Sequence, residues 1–325
     1  MIAIRVLAHG KPEQLVFQET PTPPISDDQV LIDVHYSGIN FPDTLIIQGK
    51  YQYQPPLPFT PGGEVSGVVS AVGKNITHLQ VGDRVISGCS WGGYAEQVAS
   101  FGTNTYKLPD ELPMREGAVF LQTYATTYHA LVDRGQAKKG ETLLILGAAG
   151  GTGTAAIQVG KVLGLKVIAC ASTEEKRRHC QEQGSDEVLD SHDPELREKI
   201  IKITDRKGLD LVYDSVGGSL SELTFRSLGF GGRHLVIGFA TGDMPRLPWN
   251  LPLLKCASIV GVFWGRFFRE FPEENARNVA LLLDWWQQGK LAPMVHAEYP
   301  LANASDALTH LIENKVVGKL VLRVK

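Results

Sequence analysis

The chain is predicted to be an α/β protein in which a β-rich module is followed by a doubly wound parallel sheet. Three observations predict this. Short β-type runs punctuated by Gly and Pro fill the first third of the chain, strand and helix patterns alternate from residue 126 onward, and a glycine-rich segment sits where the first alternating strand meets a helix. A length of 325 residues, at about 150 per domain, leaves room for two domains with full cores.

Taken in order, residues 1–7 alternate as a strand, and Arg5 interrupts the apolar run that a secretory signal requires. Residues 30–36, 67–72 and 84–87 read as further strands. The second half gives strands over 142–146, 166–171, 210–213, 234–237 and 258–263, with a helix opening at Thr154 and a charged one at Glu174. Strands apolar on both faces belong in a parallel sheet covered by helices on each side. The tail carries helical patterns over 274–288 and 305–314 and a last strand over 320–324.

Composition narrows the function classes. With 43% hydrophobic and 21% charged residues the chain is not disordered. A net charge of -3, from 32 basic and 35 acidic residues, supplies no general attraction to nucleic acid or anionic lipid. Residues 142–160 carry no charge, but their central glycines split the segment into strand, loop and helix, so no membrane span is expected. Cysteines at 89, 170, 180 and 256, without C-x-x-C spacing, fit a reducing compartment, and the protein is expected to be cytoplasmic.

The chemistry is carried first by Leu146 to Thr154. Here Ala148, Gly150 and Gly153 occupy the small positions of a G-x-G-x-x-G variant, with Gly151 and Thr152 between them. The segment follows an apolar strand, opens a helix and precedes a second strand, which is the context a dinucleotide fingerprint needs. Backbone free of side chains lets a pyrophosphate approach a helix N-terminus, where unpaired N–H groups and the dipole favour negative charge. A tight strand-to-helix turn without a ligand is the plainer reading, and it does not account for so many consecutive small residues. At the end of the second strand, where an acid would hold the ribose hydroxyl of NAD, the chain offers Ser172 and Thr173, with Lys176, Arg177 and Arg178 nearby. This favours NADPH, although the three cations also read as a solvated helix face beside Glu174.

Several ordered segments together carry a wider resemblance. They are Ser37-Gly38-Ile39-Asn40-Phe41-Pro42-Asp43, Thr60-Pro61-Gly62-Gly63-Glu64-Val65-Ser66-Gly67, Val81-Gly82-Asp83-Arg84-Val85, Gly92-Gly93-Tyr94-Ala95-Glu96 and residues 148–153. On these the whole chain resembles the medium-chain dehydrogenase/reductase superfamily, and within it the zinc-free quinone oxidoreductases of the zeta-crystallin type. The resemblance implies a GroES-like catalytic domain over residues 1–124, completed by residues 266–325, around an inserted Rossmann domain over 125–265, with a substrate cleft between them. By motif, the catalytic zinc ligands of related alcohol dehydrogenases fall on Asn40, Gly63 and Gln122, none a normal zinc donor, so no metal is expected. Without a Lewis acid an alkoxide goes unstabilised, and an electron-poor quinone or conjugated carbonyl is the better hydride acceptor.

The resemblance also places site residues. Asn40 and Asp43 are expected at the nicotinamide end and Thr126 under the ring. Gly238, Phe239 and Ala240, with Val262, Phe263 and Trp264, are expected along the carboxamide side, and Ser172, Thr173 and Lys176 at the 2′-phosphate. Tyr51 matches the position of a proton-donating tyrosine in related enoyl-thioester reductases. Each has a plainer reading: Tyr51 as a packing residue of a proline-rich loop, Asn40 as a turn residue, Asp43 as the cap of a helix starting at Thr44. Relatives frequently carry Tyr where this chain has Leu45 and Ser191. The strand over 258–263 is expected to pair across a two-fold axis in a homodimer, or else to lie buried within one subunit. Members of the zeta-crystallin group also act as lens or RNA-binding proteins, but the best basic tract here is Lys176-Arg177-Arg178, so nucleic acid is not an expected partner.

Overall fold

A computed structural model describes residues 1–325. Two compact units are formed, one from Met1–Gln122, Gly265–Gln287 and Pro293–Lys325, the other from Thr123–Trp264 and Gln288–Ala292. No helix is long and apolar enough to cross a membrane.

The second unit is built on six parallel strands in the order Glu187–Asp190, Lys166–Ala171, Thr142–Leu146, Leu209–Asp214, Leu228–Val236, Ser258–Gly261. The apolar runs that predict these strands are buried on both faces: Leu144 lies opposite Ile168 on one side and Val212 on the other, all fully buried. The order reverses at Thr142–Leu146, which opens a crevice at the carboxyl ends of Thr142–Leu146 and Leu209–Asp214. The helix Gly151–Val162 lies close on the sheet because its inner face is small. A Cβ at Gly160 would stand 3.0 Å from Val167 and 3.3 Å from Leu143.

The first unit holds a seven-stranded sheet, Val295–Pro300, Lys319–Arg323, Gln29–Ile39, Glu64–Val72, Arg84–Gly88 and Thr105–Lys107, with Gln97–Phe101 paired to Gln29–Ile39. Only Val295–Pro300 and Lys319–Arg323 run parallel; the other pairs are antiparallel. Alternation along Gln29–Ile39 puts Val30, Ile32 and Val34 into a core with Val65, Val69, Val85 and Val98. Past Ile39 the chain turns directly into the helix Phe41–Ile46, with Pro42 in its first turn.

Some elements differ from the sequence expectation. The strand expected over 258–263 ends at Gly261, leaving Val262 and Phe263 beyond it. The helix expected at Thr44 starts at Phe41, so Asp43 is its third residue and not its leading cap. The strand Glu187–Asp190 and the helices Leu196–Ile203 and Ser219–Arg226 carry too many charged or polar residues for their apolar periodicity to stand out.

Candidate active site

In the parallel-sheet unit the predicted cofactor residues follow the carboxyl ends of successive strands, which places them along one edge of the sheet. Gly147, at φ +66°, turns the chain out of Thr142–Leu146, and Gly150 caps the helix Gly151–Val162. A Cβ on Gly153 would stand 2.3 Å from the Gly147 carbonyl oxygen and 2.6 Å from the Ala148 Cα, so the helix start sits on the loop with no room for a side chain. At Gly150 the nearest atom to an added Cβ is 3.4 Å away. Ala148, Gly150, Gly151, Thr152 and Gly153 thus surround a helix N-terminus whose first N–H groups lack helical partners. A pyrophosphate fits that donor set.

Past the second strand, Thr173 caps the helix Glu174–Glu182 through its hydroxyl oxygen, which accepts from the Lys176 backbone N–H at 3.2 Å. Ser172 is half-buried, and the Lys176 side chain is largely covered, which lowers its amine pKa. Arg177 pairs with Asp190 at 2.9 Å and Arg178 with Glu174 at 3.7 Å.

The loop bearing Gly238, Phe239 and Ala240 is tied to the end of the fourth strand: Gly238 N–H donates to the Asp214 carbonyl at 3.3 Å and Ala240 N–H to that of Ser215 at 3.1 Å. Asp214 is buried and accepts the N–H groups of Val216 and Gly217, each at 2.9 Å, the Ser221 hydroxyl, and a contact from His234 Nε2 at 3.0 Å. Burial alone would raise its pKa; these partners hold it below the usual value. Val262 N–H donates to the Val236 carbonyl at 3.1 Å, Trp264 is buried, and Phe263 is half-exposed. Thr126 opens the one-turn helix Thr126–Tyr128, where Thr127 reaches the Tyr213 hydroxyl at 3.2 Å.

The catalytic residues predicted in the other unit lie over a buried polar cluster. Asp43 Oδ2 accepts the Asn40 N–H at 2.8 Å and the Tyr94 hydroxyl at 2.9 Å. Asp43 is fully buried, which pushes its pKa up to about 6 against the pull of these donors and of Lys319. Lys319, at the head of an apolar strand and itself buried, donates to the Ile39 carbonyl and to Asn40 Oδ1. Burial holds its amine below the usual range while Glu64 and Asp43 support the charge. Glu64 is equally buried and its carboxyl lies above the ordinary range. Its Oε2 accepts the Gln122 N–H at 2.9 Å, its Oε1 is buried without a hydrogen-bond partner, and the Asn40 amide favours the ionised form. One cation serves two carboxyl groups, so one of the acids retains a proton near neutrality.

Asn40 is therefore turned inward, its oxygen accepting from Lys319 and its Nδ2 lying 3.4 Å from the Gly38 carbonyl. Tyr51, by contrast, packs its ring on the cluster of Ile4, Ile39 and Ile47 while no protein group bonds its hydroxyl. Burial and the neighbouring Asp43 raise its pKa, so it stays a neutral donor across the physiological range. Glu64, Tyr94 and Lys319 were not singled out from sequence as site residues. The available signal for Lys319 was a charge placed directly before the apolar run Leu320–Leu322.

Of the three positions aligned with zinc ligands, two lie against each other. A Cβ on Gly63 would stand 2.7 Å from the Gln122 side-chain nitrogen, so the Gln122 amide occupies the room a residue-63 side chain would need. Cys89, nearby, donates its thiol to the Gly62 carbonyl at 3.4 Å, and burial keeps that thiol protonated. Nowhere do three His, Cys, Asp or Glu side chains converge as a metal site.

Comparison with known proteins agrees in kind. Residues 26–110 match the model of the alcohol dehydrogenase GroES-like domain and residues 151–280 that of the zinc-binding dehydrogenase family. The chain is 35% identical to the human quinone oxidoreductase over 99% of its own length and 97% of the relative's. It is 35% identical to the rat quinone oxidoreductase-like protein 2, covering 96% of this chain and 90% of that protein. Among solved structures, the Escherichia coli quinone oxidoreductase complexed with NADPH superposes with a TM-score of 0.91 at 28% identity, covering 100% of both chains.

Proposed function

The chain belongs to the quinone oxidoreductase family of the medium-chain dehydrogenase/reductase superfamily, and from that membership we propose that it is a zinc-independent reductase passing hydride from NADPH to a quinone. The observation that carries this reading is the pairing of an intact dinucleotide loop with a filled zinc position. Gln122 packs on Gly63, and neither Asn40 nor Gln122 is a normal zinc ligand, so the residues present do not fit the metal of the alcohol dehydrogenases. Without a Lewis acid the acceptor must already be electron-poor.

The bound cofactor would supply the hydride. The residues around residue 148 would hold its pyrophosphate by backbone N–H groups, and Ser172, Thr173 and Lys176 its 2′-phosphate; the lack of an acid at the end of Lys166–Ala171 supports NADPH over NADH. In the catalytic unit Tyr51 offers its free O–H to the oxygen on which charge develops. Asn40 and Asp43 hold the floor beneath it. The exposed edge strand Ser258–Gly261, with Ile259 43% exposed, supports a homodimer in which this strand pairs with its copy. Buried free thiols at Cys170 and Cys180 support a cytoplasmic setting.

The test follows loss of reduced-nicotinamide absorbance with benzoquinone, phenanthrenequinone, an enone and an enoyl thioester, with NADH and chelator controls. Turnover of quinones that prefers NADPH and ignores chelators is expected, and Tyr51→Phe should lower kcat about 100-fold with the cofactor Kd unchanged. A second reading, reduction of a conjugated carbonyl or thioester, is favoured by the same unpartnered Tyr51 hydroxyl, which could protonate an enolate. Selective turnover of the thioester would establish it over the first.

A further inference from the structure

Beside Tyr51 lies a group of side chains that the hydride-transfer reading does not use. Trp91 stacks on Tyr53 with ring centroids 5.3 Å apart and planes 26° from parallel. The Arg269 guanidinium stands 5.1 Å from the centroid of the Tyr53 ring and 5.6 Å from that of Phe268. Tyr53 is 40% exposed and Arg269 is exposed as well. Arg269 is fixed by donation from its Nε to the Gly265 carbonyl at 2.8 Å. Its neighbour Arg266 pairs with Glu270, whereas no carboxylate pairs with Arg269.

These residues share their surroundings with the site. Tyr53 follows Tyr51 by two positions, and Tyr51 feels both Asp43 and Arg269, the acid raising and the cation lowering its pKa. Trp91 follows Cys89 and is turned by a backbone bond to it, Trp91 N–H to the Cys89 carbonyl at 2.8 Å, with Ser90 at φ +67° and Gly92 at φ +101°. A non-glycine residue at positive φ is a strained way to build a loop, and here it presents an indole to a tyrosine ring.

Two electron-rich rings and a cation without an anion form a recognisable donor set. An electron-poor ring stacks on such aromatic faces, and a guanidinium with free N–H groups binds an anionic oxygen by charge-assisted hydrogen bonds. We propose that Tyr53, Trp91 and Arg269 form an acceptor subsite for planar aromatic molecules carrying an anionic substituent, of the anthraquinone sulfonate kind. The subsite rests on the quinone-reductase reading and sharpens its substrate class. Flexible aliphatic enones would gain nothing from it.

The test is binding of anthraquinone sulfonate and of neutral hydroxymethyl anthraquinone to the full-length protein by calorimetry, without nicotinamide. The sulfonate is expected to bind about tenfold tighter than the neutral ring. Arg269→Gln should bring the ratio close to unity, Arg269→Lys should retain part of it, and Tyr53→Leu should weaken both ligands about tenfold through lost stacking. The lysine variant shows whether the charge or a folding defect is responsible. Equal binding of the two ligands by the wild type, a preference surviving in Arg269→Gln, or no binding of either overturns the subsite. A preserved ratio in a protein that turns over no quinone leaves the subsite standing and removes the reductase reading; quinone turnover with no ratio does the reverse.

Discussion

Lys319 donates its amine to the side-chain oxygen of Asn40, joining residues 279 positions apart. The contact decides which way the Asn40 amide points, because an ammonium can only donate and so must face the oxygen. Replacing Lys319 by Met would leave Asn40 Oδ1, the Ile39 carbonyl and Glu64 without their cation in a dry interior. The expected cost is about 3–5 kcal/mol of unfolding free energy, read by urea denaturation; a loss within the noise of a surface substitution would show the network to be dispensable.

Asp43 gives the fold a pH signature. Its carboxyl titrates near 3.8 when unfolded and at about 6 when folded, so between those values the folded state holds the extra proton. Stability from this group is therefore full at the acid end and falls as pH rises through the window, by about 3 kcal/mol in all. Asp43→Asn, which keeps an oxygen for Tyr94, should flatten that slope. Denaturation curves across the window, compared between the two proteins, decide it, and parallel slopes would contradict it.

Gly153→Val places carbon atoms where Gly147 and Ala148 backbone already lies. NADPH affinity should fall by more than about tenfold, since the loop must move away from the helix start that would bind phosphate. Fluorescence titration of reduced cofactor measures it. An unaltered Kd would remove this loop from the cofactor site.

The edge strand Ser258–Gly261 exposes Ile259, and the preceding segment exposes Trp249 at 84% and Leu253 at 77%. Apolar area of this kind on a free edge predicts association. Ile259→Lys should shift the sedimentation profile from dimer to monomer, and a wild-type protein that already sediments as a monomer would contradict the pairing.

The alternation of strand and helix, and the glycine loop that opens the second unit, were legible because both are local: periodicity and three small residues within one turn of chain. Thr142–Leu146 and Lys166–Ala171 fall where their apolar runs place them. The polar cluster was not legible, since Asn40, Glu64, Tyr94 and Lys319 meet only through strand pairing, with Leu320 opposite Ile39. A sequence also gives no sign of which way an amide faces, so the inward turn of Asn40 emerged only with its partners. Arg269 carries no local signal either, because the Tyr53 ring it stands over lies more than two hundred residues away in the chain.

The strand Lys319–Arg323 lies between Val295–Pro300 and Gln29–Ile39 in the seven-stranded sheet. Synthesis reaches it after every strand of the parallel sheet has been made. During translation the nucleotide-binding unit can thus close while the earlier-made catalytic sheet still waits for an internal strand, and Asn40 for its lysine. The first segment to emerge is among the last to be finished, and until residues 319–323 have been made its Tyr36–Ile39 stretch stays an unpaired edge open to misassociation.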